Sequence, residues 1–224
     1  MEDENGSPKV WLLGGLGLVF VGALVALFFL RASKPSPIPA PAAFVPYKAA
    51  DGSFACLEPK GWEKQGGASG AIRAGVLFKR DKATIDITSD LAGSLMGDMA
   101  RANNSQMESI AGMLPNGMGA NLPKTKPPVE QLHVAGGRAM TKRMENFAEQ
   151  PPQTLNSPLG EARYSEWTAD DNSLLHKGKL HGYRVTILGN ERRVTVLCQC
   201  PDGDWKTLKP AFERVIASLA PGGA

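Results

Sequence analysis

Two runs near the end of the chain, Leu180-His-Gly-Tyr-Arg-Val-Thr-Ile-Leu188 and Arg192-Arg-Val-Thr-Val-Leu-Cys-Gln-Cys200, flank the short segment Gly189-Asn-Glu191. Both are rich in Val, Thr, Ile and Leu, and the segment between them suits a tight turn, so the pattern predicts an antiparallel hairpin. The stretch after it sets the class. From Trp205 to Leu219, the residues Trp205, Leu208, Phe212, Val215, Ile216 and Leu219 fall on one helical face, with Asp204 as the expected N-cap and Pro210 expected to bend the first turn. A hairpin that needs cover, followed at once by an amphipathic helix able to cover it, marks an α+β domain with a mainly antiparallel sheet.

The upstream sequence repeats this alternation. Ser53–Glu58 reads as a first strand stopped by Pro59-Lys-Gly61. A glycine-rich turn, Gly66–Gly70, leads into a second hairpin, Ala71–Lys79 and Lys82–Thr88, joined at Arg80-Asp81. In its second arm Ala83, Ile85 and Ile87 alternate with Thr84, Asp86 and Thr88, the period of a strand with one buried face. Ser89 or Asp90 is placed to cap a helix from Leu91, with Leu91, Leu95 and Met99 on one face. That pattern breaks at Asn103-Asn104 and resumes with Met107, Ile110, Ala111 and Leu114, before a loop over residues 115–127. Pro128 suits the first turn of a further helix, whose Val129, Leu132, Gly136, Met140, Met144 and Phe147 share a stripe. Each glycine of Gly136-Gly137 costs that helix about 1 kcal/mol relative to alanine, so either a neighbour packs very close or the helix breaks there. Gly160–Thr168 reads as extended chain entering a polar loop through Asp170-Asp171-Asn172.

The N-terminal part is of a different kind. Val10–Leu30 holds 21 consecutive uncharged residues between Lys9 and Arg31. At about 1.5 Å rise per residue this is roughly 30 Å, the thickness of a hydrocarbon core, and Trp11 stands at the interface level. Residues 10–31 are therefore expected to be a transmembrane helix, with the bilayer contacted through residues 10–30 and a short tail at 1–9. A cleaved signal peptide would start basic and carry a shorter apolar run, whereas this chain opens Met-Glu-Asp-Glu-Asn. Gly22 and Ala26 form one small-xxx-small pair. Lys9 on one side against Arg31, Lys34 and Lys48 on the other leans towards a cytoplasmic C-terminal domain, by too small a margin to settle the side. Residues 32–46 carry five prolines and are expected to form an extended spacer. Residues 47–220 supply one domain, and 221–224 a short tail.

Composition narrows the function classes. The 25 Lys and Arg against 22 Asp and Glu give a formal charge of +3, too weak for a nucleic-acid partner to be expected. Three cysteines do not make a disulfide scaffold.

With these elements placed, the domain's two ends resemble PsbP-like domains, named for an extrinsic subunit of photosystem II. The residues that carry the resemblance are Phe54-Ala-Cys-Leu-Glu-Pro-Lys-Gly-Trp62, a strand running into Pro-x-Gly-Trp, and the late Gly182–Leu188 and Val194–Cys200 hairpin with Asp204-Trp205 and Pro210–Leu219. The superfamily also includes a small Ran-binding nuclear import factor. The resemblance implies an antiparallel sheet sandwiched by helices and a protein that acts as an accessory or binding module without chemistry of its own. The photosystem subunit has no membrane helix, and Leu91–Gln150 matches nothing residue by residue, so no ligand site carries over.

Several residues invite a chemical reading. His176 and His181 lie near Glu166, Asp170 and Asp171, but their spacing matches no metal motif, and no metal or cofactor is expected. His133 falls on the stripe of its helix and reads as a core or surface histidine. Cys198 and Cys200 share a strand face; a bridge from one of them to Cys56 is the sterically open pairing in an oxidising compartment, and free buried thiols are expected in the cytoplasm. Gly66–Gly70 lacks the Lys-Ser or Lys-Thr of a phosphate loop. Arg138, Lys142 and Arg143 form a basic set that a solvated face explains, with an acidic partner or anionic lipid as the sharper reading. No catalytic residue is assigned. The expectation is a single-pass, membrane-anchored accessory protein with a protein partner. The rival class is a membrane-anchored hydrolase or thiol-dependent enzyme using Cys198 or Cys200 with His181.

Overall fold

The late hairpin forms as the sequence dictates, and the sheet grows around it. In the computed structural model, which describes residues 36–66, 72–113, 125–173 and 176–223, the elements run β1 Phe44–Lys48, β2 Ala55–Pro59, β3 Glu63–Gly66, β4 Arg73–Arg80, β5 Ala83–Asp90, α1 Leu91–Met113 and α2 Pro128–Thr141. They continue with β6 Ala148–Glu149, β7 Gln153–Leu155, β8 Glu161–Ser173, β9 His176–Leu188, β10 Arg193–Pro201 and, after a 3-10 turn at Asp202–Asp204, α3 Trp205–Ala217. The main sheet is antiparallel throughout, in the order β3-β4-β5-β10-β9-β8-β6, with β7 also paired to β8. β1 and β2 pair separately. The class is α+β with helices on both faces of the sheet.

Side-chain alternation gives the sheet two different faces. One carries Val76, Phe78, Ile85, Ile87, Val185, Ile187, Val194, Val196, Cys198 and Cys200 and buries them against Trp205, Leu208, Phe212, Val215 and Ile216 of α3. The whole predicted stripe of that helix is buried, with Leu219 just beyond its end. The opposite face lies under α2 and α1 and carries the small apolar cluster Val129, Leu132 and Leu188, with the buried Trp167 further along β8. Between these lie buried polar groups, Ser165, Arg184, Thr186 and His133 among them.

Five local expectations are corrected. Asp204 stands at the N-cap position of α3 but makes no capping bond; its Oδ1 accepts the backbone N–H of Ile38 at 3.1 Å. That bond, the burial of Ile38 and the pairing of Phe44–Pro46 in β1 draw residues 38–46 onto the domain, although their prolines suggested free spacer. α1 runs unbroken through Asn103-Asn104, because Asn104 turns its side-chain amide to the carbonyl of Lys126 (2.9 Å) and accepts from Gln131 (3.1 Å). α2 stops at Thr141, so Met144 and Phe147 leave its stripe, and Phe147 packs instead on Trp167 with ring centroids 5.7 Å apart. The polar stretch Asp170–Asn172 is strand, since β8 and β9 pair without a break from Glu161↔Leu188 to Ser173↔His176.

The predicted membrane helix at 10–31, the turn residues 67–70 and much of the 115–127 loop lie outside the described residues. Among the described residues, no helix is long and apolar enough to cross a membrane.

Candidate functional site

A chain of buried polar groups connects α2 to the sheet. His133 is 1% exposed; its Nδ1 lies 3.0 Å from Thr186 Oγ1 on β9 and its Nε2 2.9 Å from Ser165 Oγ on β8. Ser165 donates to Glu149 Oε1. The same carboxylate accepts Nε and Nη2 of Arg184 at 2.7 and 3.0 Å. A carboxylate only accepts, so the Ser165 hydrogen is committed to Glu149; Ser165 Oγ then accepts from His133 Nε2–H, and the Thr186 hydroxyl donates to Nδ1. This arrangement needs a neutral imidazole. Burial, aided by the Arg184 guanidinium, pushes His133 down to about 4. With both nitrogens used and no open face, the ring holds α2 to the sheet and has no access to a substrate.

The glycine pair of α2 makes this approach possible. A Cβ at Gly136 would stand 2.8 Å from Arg184 Nη1, and one at Gly137 would fall on the Glu149 carboxylate. Of the two outcomes the sequence allowed, close packing is the one that occurs, and α2 stays intact.

A second cluster lies on the other face, where β9 meets α3. His181 Nε2 is 2.8 Å from Glu166 Oε1 and Nδ1 is 2.9 Å from Asp202 Oδ1, while the ring stacks on Trp205 at 4.0 Å and 8°. Lys209 Nζ bonds Glu166 Oε2 at 3.2 Å and lies over the Trp205 and Tyr183 rings. Burial works against the charge of Glu166, but hydrogen bonds from His181 and Lys209 outweigh it and hold the carboxyl below its ordinary value. Tyr183 donates to Glu213 at 2.9 Å, and burial followed by that bond raises its phenol above the usual range.

Of the grouping weighed for a metal, His181 and Glu166 come together among the described side chains. Asp170 accepts from Asn146 at 2.6 Å and Asp171 from Lys82 at 3.1 Å. His176 begins β9, and its side chain lies outside the described set. Among the described residues, no three His, Cys, Asp or Glu side chains form a group able to hold a metal ion.

Cys56, Cys198 and Cys200 are all free thiols and all buried. Burial pushes Cys56 and Cys200 up to about 12 and Cys198 higher still. Thiolate, the nucleophilic form, is therefore scarce at neutral pH. In the strand register Cys200 stands opposite His181, yet that imidazole is bonded on both sides to Glu166 and Asp202.

Two surface recesses adjoin these groups. One, of about 260 Å³, lies between α2 and the sheet and gathers Arg73, Arg143, Arg184 and Arg193 around Asp86 and Thr88. Burial raises the carboxyl of Asp86, against the opposing pull of Thr88 and Arg73. Of the basic set predicted on α2, Arg143 reaches this recess; Arg138 and Lys142 stand exposed to solvent. The other recess, of about 490 Å³, runs along α3 over Tyr164, Tyr183, Leu155 and Ile216 with Glu213 at its side.

The feature that sequence reasoning missed is the orientation of α1. Its apolar stripe points outward: Leu95, Met96, Met99, Ile110 and Met113 are between 47% and 82% exposed, and Leu91 and Met107 are each 38% exposed. The helix presents glycines to the domain instead. A Cβ at Gly97 would lie 2.6 Å from Leu188 Cδ1, and one at Gly93 would run into the Arg193 side chain. Asp90 caps the helix by accepting Gly93 N–H and, from its other oxygen, holds Arg193 Nη2 at 2.9 Å. Ile72, 66% exposed, lies beside the start of α1, where its carbonyl accepts Leu91 N–H at 3.0 Å. The signal for this lay in the Gly93-x-x-x-Gly97 spacing, a second stripe that allows close approach.

No family model and no curated protein matches the chain. Among solved structures, it is similar to cyanobacterial PsbP (CyanoP) from Synechocystis sp. PCC 6803, with 13% identity and a TM-score of 0.46 over 80% of this chain and 93% of that one. It is also similar to a protein of Bacteroides thetaiotaomicron VPI-5482, with 11% identity and a TM-score of 0.43 over 79% of this chain and 47% of that one. A third is LpqN of Mycobacterium tuberculosis, described as involved in cell envelope biogenesis, with 11% identity and a TM-score of 0.40 over 83% and 88% of the two chains. PsbP-like proteins are thus among the structures the chain is similar to, and the likeness concerns the course of the chain.

Proposed function

We propose that this chain is a single-pass membrane protein whose PsbP-like domain is a non-catalytic accessory module that binds a protein partner. The observation that carries this reading is the outward apolar face of α1. Exposed apolar area of this extent along one helix is unfavourable in water and marks a surface kept for association. The groups that a rival enzyme would need are engaged elsewhere: His133 is enclosed by Thr186 and Ser165, His181 is held between two carboxylates, and the thiols are buried. The membrane attachment rests on the apolar run Val10–Leu30.

Replacement of the chromosomal copy tests this. A variant carrying Leu95→Glu and Met99→Glu is expected to reproduce the phenotype of deleting the protein while accumulating to normal levels. Cys198→Ala, Cys200→Ala and His181→Gln, each judged in variants that stay folded, are expected to retain function. The opposite pattern, loss with the thiol or imidazole variants and none with the α1 variant, would establish the enzyme reading instead.

A further inference from the structure

We infer that the partner of the α1 face is a second copy of this chain, with two α1 helices packed antiparallel about a two-fold axis near Ala102. The inference rests on the binding reading above and names its occupant.

The arrangement of residues on the helix supports it. At about 100° per residue, Leu91, Leu95, Met96, Met99, Met107, Ile110 and Met113 occupy an arc of roughly 160°. The charged residues of the helix, Asp98, Arg101 and Glu108, all fall outside that arc, and Asp98 pairs with Arg101 on its own chain. Each group close to a two-fold axis meets its own copy, so a seam without charge carries no self-repulsion.

The apolar residues also flank the middle of the helix on both sides. Leu91 and Met113 lie equally far from Ala102, one on each side, with Leu95, Met96 and Met99 in the first half of the helix and Met107 and Ile110 in the second. Antiparallel packing therefore sets Leu91 of one copy level with Met113 of the other at each end, with the exposed Asn103 and Gln106 near the middle of the seam. Ala102, small and exposed, stands midway along the helix, near one edge of the apolar arc.

Size agrees with a stable pair. Together with Ile72, the seven residues expose the equivalent of between four and five whole side chains per copy. Two such faces approach the about 800 Å² per partner of an ordinary protein interface. The alternative of a bilayer surface fits less well. A surface-lying helix carries Trp or Phe on its apolar side and several Lys or Arg on its polar side, whereas α1 has no aromatic residue and one arginine against two acids.

Cysteine crosslinking on the full chain in native membranes tests the inference. The three native thiols are buried, so an introduced surface cysteine reacts selectively. Ala102→Cys is expected to form a disulfide-linked dimer under mild oxidation. Leu91→Cys and Met113→Cys are expected to crosslink when co-expressed and far less when expressed singly. Adding Leu95→Glu and Met99→Glu to Ala102→Cys should reduce the dimer at least tenfold, whereas Lys79→Cys on β4 should give none. A dimer held by the Gly22–Ala26 segment alone would persist through the glutamate changes and would overturn the inference. So would an adduct to a different protein, or a cysteine at 102 that stays monomeric. Extraction with alkaline carbonate, read separately, reports whether the chain is membrane-embedded, so failure of the anchor and failure of the α1 pairing give different results.

Discussion

Gly137→Ala separates helix propensity from packing, because the two make opposite forecasts. In the middle of an exposed helix the change adds about 1 kcal/mol of stability. Here the new methyl lands on the Glu149 carboxylate and lies 3.1 Å from Arg184 Nη2. Either α2 lifts from the sheet or Glu149 swings away, leaving an almost fully buried guanidinium without the partner that takes two of its N–H groups. Removing one member of a buried ion pair costs about 3–5 kcal/mol, and offsetting the propensity gain leaves a net loss of about 2–4 kcal/mol. For a domain of this size that lowers Tm by roughly 5–12 °C. Urea unfolding followed by tryptophan fluorescence measures the loss. The control is the same change in a Glu149→Ala background, where the obstacle is gone and the alanine should be neutral or stabilising. Stabilisation by Gly137→Ala alone would refute the close-packing account of the glycine pair.

Further outcomes follow from the buried network and the thiols. His133 is held neutral in the folded chain and protonates near pH 6.5 when unfolded, so its contribution is complete above about pH 6.5 and is lost as pH falls towards about 4; the loss, about 3 kcal/mol, should appear in urea midpoints measured between pH 7 and pH 4 and be much smaller in His133→Gln. Glu149→Ala should destabilise by about 3–5 kcal/mol in the same assay, by stranding Arg184. At pH 8 the native thiols should resist iodoacetamide until urea unfolds the chain, and rapid labelling of folded protein at Cys198 or Cys200 would contradict their burial. Asp204→Ala should free the chain around Ile38 and raise its protease sensitivity while leaving α3 helical by circular dichroism, since Asp204 holds the segment and not the cap.

The α3 side of the fold was legible because its residues follow one rule, apolar to the core at helix or strand period, and every member of the Trp205–Leu219 stripe obeys it. The other side was not, because its order comes from contacts distant in sequence. Glu149 meets Arg184 across 35 residues and His133 meets Thr186 across 53, and neither pairing leaves a local pattern. His133 and His181 were singled out individually, but their surroundings, two hydroxyls for one and two carboxylates for the other, come from strand register. On α1 the usual rule misled, since Leu91, Leu95 and Met99 read as a core stripe while Gly93 and Gly97 take the inner face. The spacer was overestimated for a related reason. Proline content indicates extended chain, yet an extended chain can also lie along a sheet edge, as Phe44–Lys48 does against β2.

Whether α1 offers its apolar side to another molecule and not to its own domain is tested directly by the unfolding free energy of Leu95→Gln/Met99→Gln/Met113→Gln. These three positions are 64%, 67% and 82% exposed. Measured on dissociated monomer, the triple variant is predicted to lie within about 1 kcal/mol of the parent, as surface substitutions do. A loss of several kcal/mol would show that the face is covered within the same molecule, and would contradict the account.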